Sequence, residues 1–279
     1  MPELPEVETI RRQLDERITG RVIRRLRVFD PMTVTPDSPR RLARRVAGRR
    51  IERVSRRGKY LRLELDGGDT LALHLRMTGK LHWSANGDGP PEPYRRARLE
   101  LDDGSAVDMR DMRRFGRIWL VPAEHPDAAA YWDARTGVEP LGPGFTAARL
   151  GELLAGRRAP VKAALLDQRL VAGVGNIYAD EALYQARIHP LRPAGDLGPD
   201  ELRRLHRAVR DRLKAGIDSG GASIDRYRDA INARGSMQDL LAVHLHAGEP
   251  CPRCGTTIEK IRVAQRGTYV CPGCQPPPR

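Results

Sequence analysis

The chain has 279 residues, of which 40% are hydrophobic and 30% charged; that length suits two domains, and that balance excludes a disordered chain. No apolar run approaches the roughly 20 residues needed to cross a bilayer, and an opening with two prolines and three glutamates is unlike a secretory signal, so a soluble, intracellular protein is expected. Lys plus Arg number 49 against 36 Asp plus Glu, a net charge of +13, which points to a polyanionic partner, most often nucleic acid.

Residues 5–18 read as a helix, with Pro5 in its first turn and Val7, Ile10, Leu14 and Ile18 on one face. From Val22 to Val121 the periodicity is mostly two. VIRRLRVF, IERVSRR, KYLRLELD, TLALHLRM, ARLELDD and GRIWLV read as strands, punctuated by Gly/Asp turns, and together they predict a sandwich or a barrel. Residues 84–94 read as an exposed loop. The pattern changes near Pro140–Gly144, and helices are expected at 146–155, 160–168, 177–186 and 199–215. LVAGVGNIY joins the second and third as a helix–turn–helix or a plain helical hairpin, and its turn amides could hold a phosphate. Residues 218–236 are polar and glycine-bearing, and are expected to be mobile.

All four cysteines fall in the last 30 residues, as Cys251-Pro-Arg-Cys254 and Cys271-Pro-Gly-Cys274 with 16 residues between the pairs. Two-residue spacers let both thiolates of a pair turn toward one tetrahedral centre. Two disulfides are the alternative, and they fit poorly with a chain lacking an export signal. One structural zinc is expected: four thiolates close the coordination sphere and would hold a ribbon too small to fold alone.

At the other end, excision of Met1 would expose Pro2 as a secondary amine able to attack an aldehyde carbon and form an iminium. Such an amine titrates near pKa 7.7–8.0, against roughly 10.4 for lysine, and the positive end of the following helix favours its free base. Glu3 stands beside it as a proton donor. Only five of the 49 cations are lysine, which draws notice to Lys59.

PELPEVETIRR, RRGKYL at 56–61, HLRMTG at 74–79, RRFG at 113–116, LLDQRLVAGVGNIYADEAL at 165–183 and the terminal CPRCG…CPGCQ together resemble the bacterial formamidopyrimidine-DNA glycosylase family, in the family's order along the whole chain. The opening PELPE favours the oxidised-purine branch over the branch that opens PEGPE. The resemblance implies an α+β multidomain fold: an N-terminal catalytic β-sandwich with flanking helices over 1–140, a helical domain with a helix–two-turn–helix over 141–236, and a C-terminal β-hairpin zinc finger over 237–279. It implies a bifunctional base-excision repair enzyme that removes 8-oxoguanine and formamidopyrimidines and then cleaves the abasic site by β,δ-elimination. Its partner would be damaged double-stranded DNA and not a membrane, its state a monomer, its place the cytoplasm of a bacterium on nucleoid DNA.

By the same resemblance Pro2 attacks the sugar C1′, Glu3 protonates the ring oxygen, and Lys59 sits beside the lesion phosphate. Glu6 matches a family glutamate; otherwise it reads as a solvated first-turn residue. His74, Asn176 and Arg266 match phosphate-contacting positions, with Lys162 a further DNA-binding candidate, while Asn176 also reads as a helix cap. Met77, Arg113 and Phe115 match residues that fill the gap left by the extruded nucleotide, with Arg113 facing the orphaned base; on their strands alone, Met77 and Phe115 read as core. A non-catalytic DNA-marking protein is the rival reading, and the joint presence of Pro2, Glu3 and Lys59 argues against it. The chain departs from the family at Met112, usually proline, and at Val243-His244-Leu245-His246, usually VYGR, where His244 replaces a tyrosine expected at phosphate.

Overall fold

The computed structural model describes residues 1–87, 93–125, 131–224 and 227–278. Its contacts divide the chain into two compact units: 1–132 with 219–238, and 133–218 with 239–279. No helix among the described residues is long and apolar enough to cross a membrane.

The first unit begins with helix α1 (Leu4–Ile18), whose Val7, Ile10, Leu14 and Ile18 face inward as their spacing predicts. Two antiparallel four-stranded sheets follow. One runs β2-β3-β4-β8, from β2 (Ile51–Arg57), β3 (Tyr60–Leu65), β4 (Thr70–His74) and β8 (Arg117–Val121); the other runs β1-β6-β7-β5, from β1 (Ile23–Val28), β5 (Gly79–Ser84), β6 (Arg95–Leu101) and β7 (Ala106–Asp111). Leu61, Leu63, Leu71 and Leu73 of the first sheet share one core with Leu81, Leu99, Val107 and Met109 of the second, so the architecture is the sandwich. Helix α2 (Pro39–Val46) packs on β1, with Ser38 as its cap.

Two strands escape the sequence pattern. β5 hides in a run that looks continuous with β4; the chain turns between them at Leu75–Thr78, where Arg76 takes φ 54° and Gly79 N–H donates to Leu75 O. A Cβ on Gly79 would lie 2.3 Å from that oxygen, so only glycine fits the turn. β7 buries Asp108 and Asp111, which destroys the apolar alternation. Asp108 is tolerated there because Arg95 and Arg98 hold its carboxylate at 2.8–3.1 Å. Of the loop expected at 84–94, residues 88–92 lie outside the described residues.

The second unit holds α3 (Ala147–Leu154), α4 (Val161–Leu166), α5 (Asn176–Ala186), α6 (Pro199–Asp218) and a hairpin of β9 (Glu259–Val263) and β10 (Arg266–Val270). Between α4 and α5, Gln168 staples the turn: its amide donates to Leu166 O and Val174 O and accepts from Gly173 N–H. Residues 219–238, which include most of the 218–236 stretch placed above with the helices, group with the first unit, residues 225–226 lying outside the described residues. There Ala230 N–H donates to Gln13 Oε1, Gln13 donates to Asp229, and Trp83 N–H donates to Ala230 O.

Candidate active site

Helix α1 runs antiparallel to β2, with Asp15 Oδ1 accepting from Val54 N–H and Glu8 pairing with Arg56 at 3.1 Å. Its first turn therefore points toward the two-residue turn Gly58–Lys59 that joins β2 to β3. Pro2, Glu3 and Glu6 are buried there, while Met1 is 45% exposed. Glu6 is not the solvated first-turn residue its spacing allows. Its carboxylate accepts Glu3 N–H and Ala222 N–H, each at 2.8 Å, and Tyr227 donates its hydroxyl to Glu6 O at 3.3 Å. One buried side chain thus fixes the first turn of α1 to the 219–238 segment, where Gly221 at φ 87° packs against Glu6 Cγ. Burial and the Glu6 charge push the Tyr227 pKa up, so its hydroxyl stays a donor.

Lys59 is buried, and its turn is made possible by Gly58 at φ 56°. His74 ends β4 opposite Tyr60 and packs its ring on that tyrosine at 4.7 Å. Burial, then the charges of Arg76 and Lys59, lower the His74 pKa from 6.5 to about 3. The ring is neutral, its Nδ1 accepts Arg76 N–H at 3.0 Å, and its proton therefore sits on Nε2 as a donor suited to phosphate.

That depression makes a pH prediction. Below about pH 6.5 the unfolded chain protonates this ring, whereas the folded chain does so only near pH 3. Stability therefore falls as pH drops through that window, by about 2 kcal/mol at pH 5. His74→Gln is expected to lose less stability than the parent between pH 7.5 and 5, read from urea midpoints. Equal acid losses in the two proteins would refute the assignment.

Met77, Arg113 and Phe115 come together, and they are not core: Met77 and Phe115 are 40% and 43% exposed. The Arg113 guanidinium lies 4.7 Å from the Phe115 ring and its Nη1 is 3.3 Å from Met77 Sδ. Asp111, which sequence reasoning passed over, builds this cluster. Its carboxylate accepts Thr78 Oγ1–H, Arg113 N–H and Gly116 N–H, so one buried acid shapes both contributing loops. Arg114, at φ 61°, is locked by two bonds to Asp30 at 2.6 and 2.9 Å. The leading aspartate of DMRRFG was the available signal.

In the second unit Arg266 is exposed where β10 begins, beyond a tight turn with Ala264 and Gln265 both at positive φ. Asn176 is the first residue of α5, Gly175 being the cap; its amide donates to Gly267 O at 2.9 Å and so ties α5 to the Arg266 hairpin. Lys162 corrects the expectation of a DNA contact. It is fully buried, 2.7 Å from Asp180 Oδ1, and donates to Thr268 Oγ1 at 2.7 Å; a side chain with no exposed surface cannot meet a phosphate. Glu181, equally buried and also missed, accepts the N–H groups of Ala242, Val243 and His244 at 2.9 Å each.

The four cysteine sulfurs lie within 4.8 Å of one another, and are not disulfide-bonded. Three of their separations are 3.4, 3.5 and 3.9 Å, close to the roughly 3.8 Å of a tetrahedron with 2.3 Å zinc–sulfur bonds. Burial opposes ionisation of Cys251, but donation from Tyr184 and Arg253 N–H prevails and brings its pKa to about 6; Cys271 is pushed up to about 12 by burial and the neighbouring sulfurs. Four sulfurs this close ionise together only around a cation. The donor set fits one structural zinc with no open position for water or substrate.

Residues 1–118 match the family model described as the formamidopyrimidine-DNA glycosylase N-terminal domain, 136–228 that of its H2TH domain, and 248–277 that of the zinc finger found in FPG and IleRS. A formamidopyrimidine-DNA glycosylase of Chloroflexus aurantiacus is 49% identical over 99% of this chain and 98% of its own length. Among solved structures, a Lactococcus lactis FPG mutant in complex with Fapy-dG-containing DNA superposes with a TM-score of 0.92 at 38% identity, covering 99% of this chain and all of that one. The MutM (FPG) protein of Thermus thermophilus superposes at 0.87 with 42% identity, covering 98% of each chain.

Proposed function

Because the chain belongs to the formamidopyrimidine-DNA glycosylase family, we propose that it removes oxidised purines, 8-oxoguanine and formamidopyrimidines, and cleaves the resulting abasic site through Pro2. The enzyme is a DNA glycosylase and abasic-site lyase of base-excision repair, and its partner is damaged duplex DNA. The observation that carries the residue assignment is the buried first turn of α1, where Pro2 and Glu3 are shielded from solvent and Glu6 accepts the Glu3 N–H.

In this reading the Pro2 nitrogen attacks C1′ as the glycosidic bond breaks and the base leaves with the bonding pair. The Pro2 nitrogen sheds its proton to solvent and Glu3 gives one to the ring oxygen; the freed lone pair then expels that oxygen, opening the sugar and leaving an iminium between C1′ and Pro2. The iminium acidifies the C2′ proton, its loss expels the 3′ phosphate, and a second elimination expels the 5′ phosphate. Lys59 and the Nε2–H of His74 hold the phosphates beside the lesion. Arg113 presents its planar donors to the unpaired base, with Met77 and Phe115 filling the emptied stack. Asn176 and Arg266 grip the backbone. The cytoplasm of a bacterium, on nucleoid DNA, is the compartment this activity requires, and the division of the sequence at about 140 and 236 is the domain scheme, with three family-model matches in support, although 219–238 groups with the first unit.

Duplexes carrying 8-oxoguanine, a formamidopyrimidine, thymine glycol or an abasic site test the reading directly. The expected result is excision of the two purine lesions ahead of thymine glycol, with strand cleavage at all processed sites. Faster removal of thymine glycol would move the enzyme to the pyrimidine side. Arg113→Ala is expected to flatten the dependence on the opposite base, since a bidentate contact is worth about 1–3 kcal/mol of discrimination.

A further inference from the structure

Helix α5 carries a chain of buried polar groups that the reaction itself does not use. His244 Nδ1 bonds Asp180 Oδ2 at 2.8 Å, and Asp180 Oδ1 lies 2.7 Å from Lys162 Nζ. Lys162 donates onward to Thr268 Oγ1 at 2.7 Å and to Gly267 O at 3.3 Å, and Thr268 Oγ1–H donates to Arg266 O at 3.2 Å. The His244 ring also meets Tyr269 of β10 edge-on at 4.9 Å. The chain therefore ends on the backbone of the residues that flank the Arg266 side chain, and Gly267 O also receives the Asn176 amide.

We propose that His244, acting through Asp180, Lys162 and Thr268, is a positioning residue that aims Arg266 and Asn176 at the DNA backbone. The inference rests on the reading of those two residues as phosphate contacts. Both Asp180 oxygens are engaged by cationic or N–H groups, and its side chain has no exposed surface. Without the imidazole, one carboxylate oxygen keeps only buried surroundings, and the carboxylate and its lysine rearrange to recover solvation or a new partner. Histidine suits this place because its donor is on the δ atom, next to the ring's attachment; a tyrosine at 244 would put a C–H there and send its hydroxyl elsewhere.

The test uses the zinc-loaded full chain and a duplex with a tetrahydrofuran abasic analogue. Arg266→Ala is expected to weaken binding and to reduce the salt slope by about one. His244→Phe keeps the ring but removes the donor, and is expected to weaken binding about five- to tenfold with zinc content and turnover of bound substrate unchanged. His244→Asn keeps a donor at the same distance from the backbone and is expected to restore affinity. In a background carrying both Arg266→Ala and Asn176→Ala, His244→Phe should add almost nothing, because its effect passes through those two residues. A full, additive loss there, or no rescue by asparagine, overturns the proposal while leaving the phosphate reading intact. An Arg266→Ala protein with unchanged affinity and salt slope removes that reading, and the proposal with it. Should His244→Phe not fold, Thr268→Val breaks the same chain nearer the hairpin and decides by the same cycle.

Discussion

A chain that keeps residues ahead of Pro2 is expected to lose both borohydride trapping on abasic DNA and strand cleavage, while the chain beginning at Pro2 is trapped with the adduct at residue 2. The reason is electronic. Acylated by a preceding residue, the proline nitrogen is an amide whose lone pair is delocalised, and no neighbouring base restores it. The obvious substitute is Lys59, which is buried in the turn toward which the first turn of α1 points. A lysine amine has a reference pKa of about 10.4 against about 7.7–8.0 for an α-amine, so any trapping through a lysine is expected to be far weaker than through Pro2 at neutral pH. Binding of an abasic analogue should survive in the extended chain if the added residues leave the DNA path open. Glu3→Gln separates the two half-reactions: base excision falls sharply, whereas trapping on a preformed abasic site persists because ring-opened aldehyde is already there. Trapping that survives the extension and maps to Lys59 would transfer the nucleophile and leave the enzyme class standing.

Loss of zinc should cost DNA grip and spare bond breaking. The hairpin β9–β10 has little core of its own: Ile258, Tyr269, Cys251 and Cys271 cluster with Tyr184 and Val243, and a two-stranded ribbon is at best marginal in water. Zinc in comparable four-ligand fingers contributes about 10–16 kcal/mol at neutral pH, so the metal in effect supplies the ribbon's folding energy. Cys254→Ser, or chelation, should unfold the ribbon and release Arg266, weakening affinity for an abasic analogue by about two orders of magnitude at moderate salt. Single-turnover cleavage at saturating protein should change far less, since Pro2, Glu3 and Lys59 belong to the other compact unit. Intact affinity with abolished turnover on bound DNA would contradict the structural role.

The elements written into local sequence are those whose periodicity or composition is self-sufficient. Helix α1, the four later helices and most strands follow from spacing alone, and the CxxC pairs announce a metal because two-residue spacers suit one tetrahedral centre. Pro2, Glu3 and Lys59 could be singled out because the chemistry of an N-terminal amine and the motifs around it are contiguous in the chain. Tertiary structure decided whatever depends on partners far apart in sequence. β7 became a strand despite Asp108 because Arg95 and Arg98 neutralise it; Glu6 became a buried tether because Ala222 returns to it from 216 residues away. Met77 and Phe115 carry the same apolar signal as core residues, and only the Asp111 scaffold turns them outward. Lys162 looks like any surface cation in one dimension, yet Asp180 and Thr268 enclose it completely. A buried charge is stable only where its counter-charge and donors converge in space, and that convergence has no local signature.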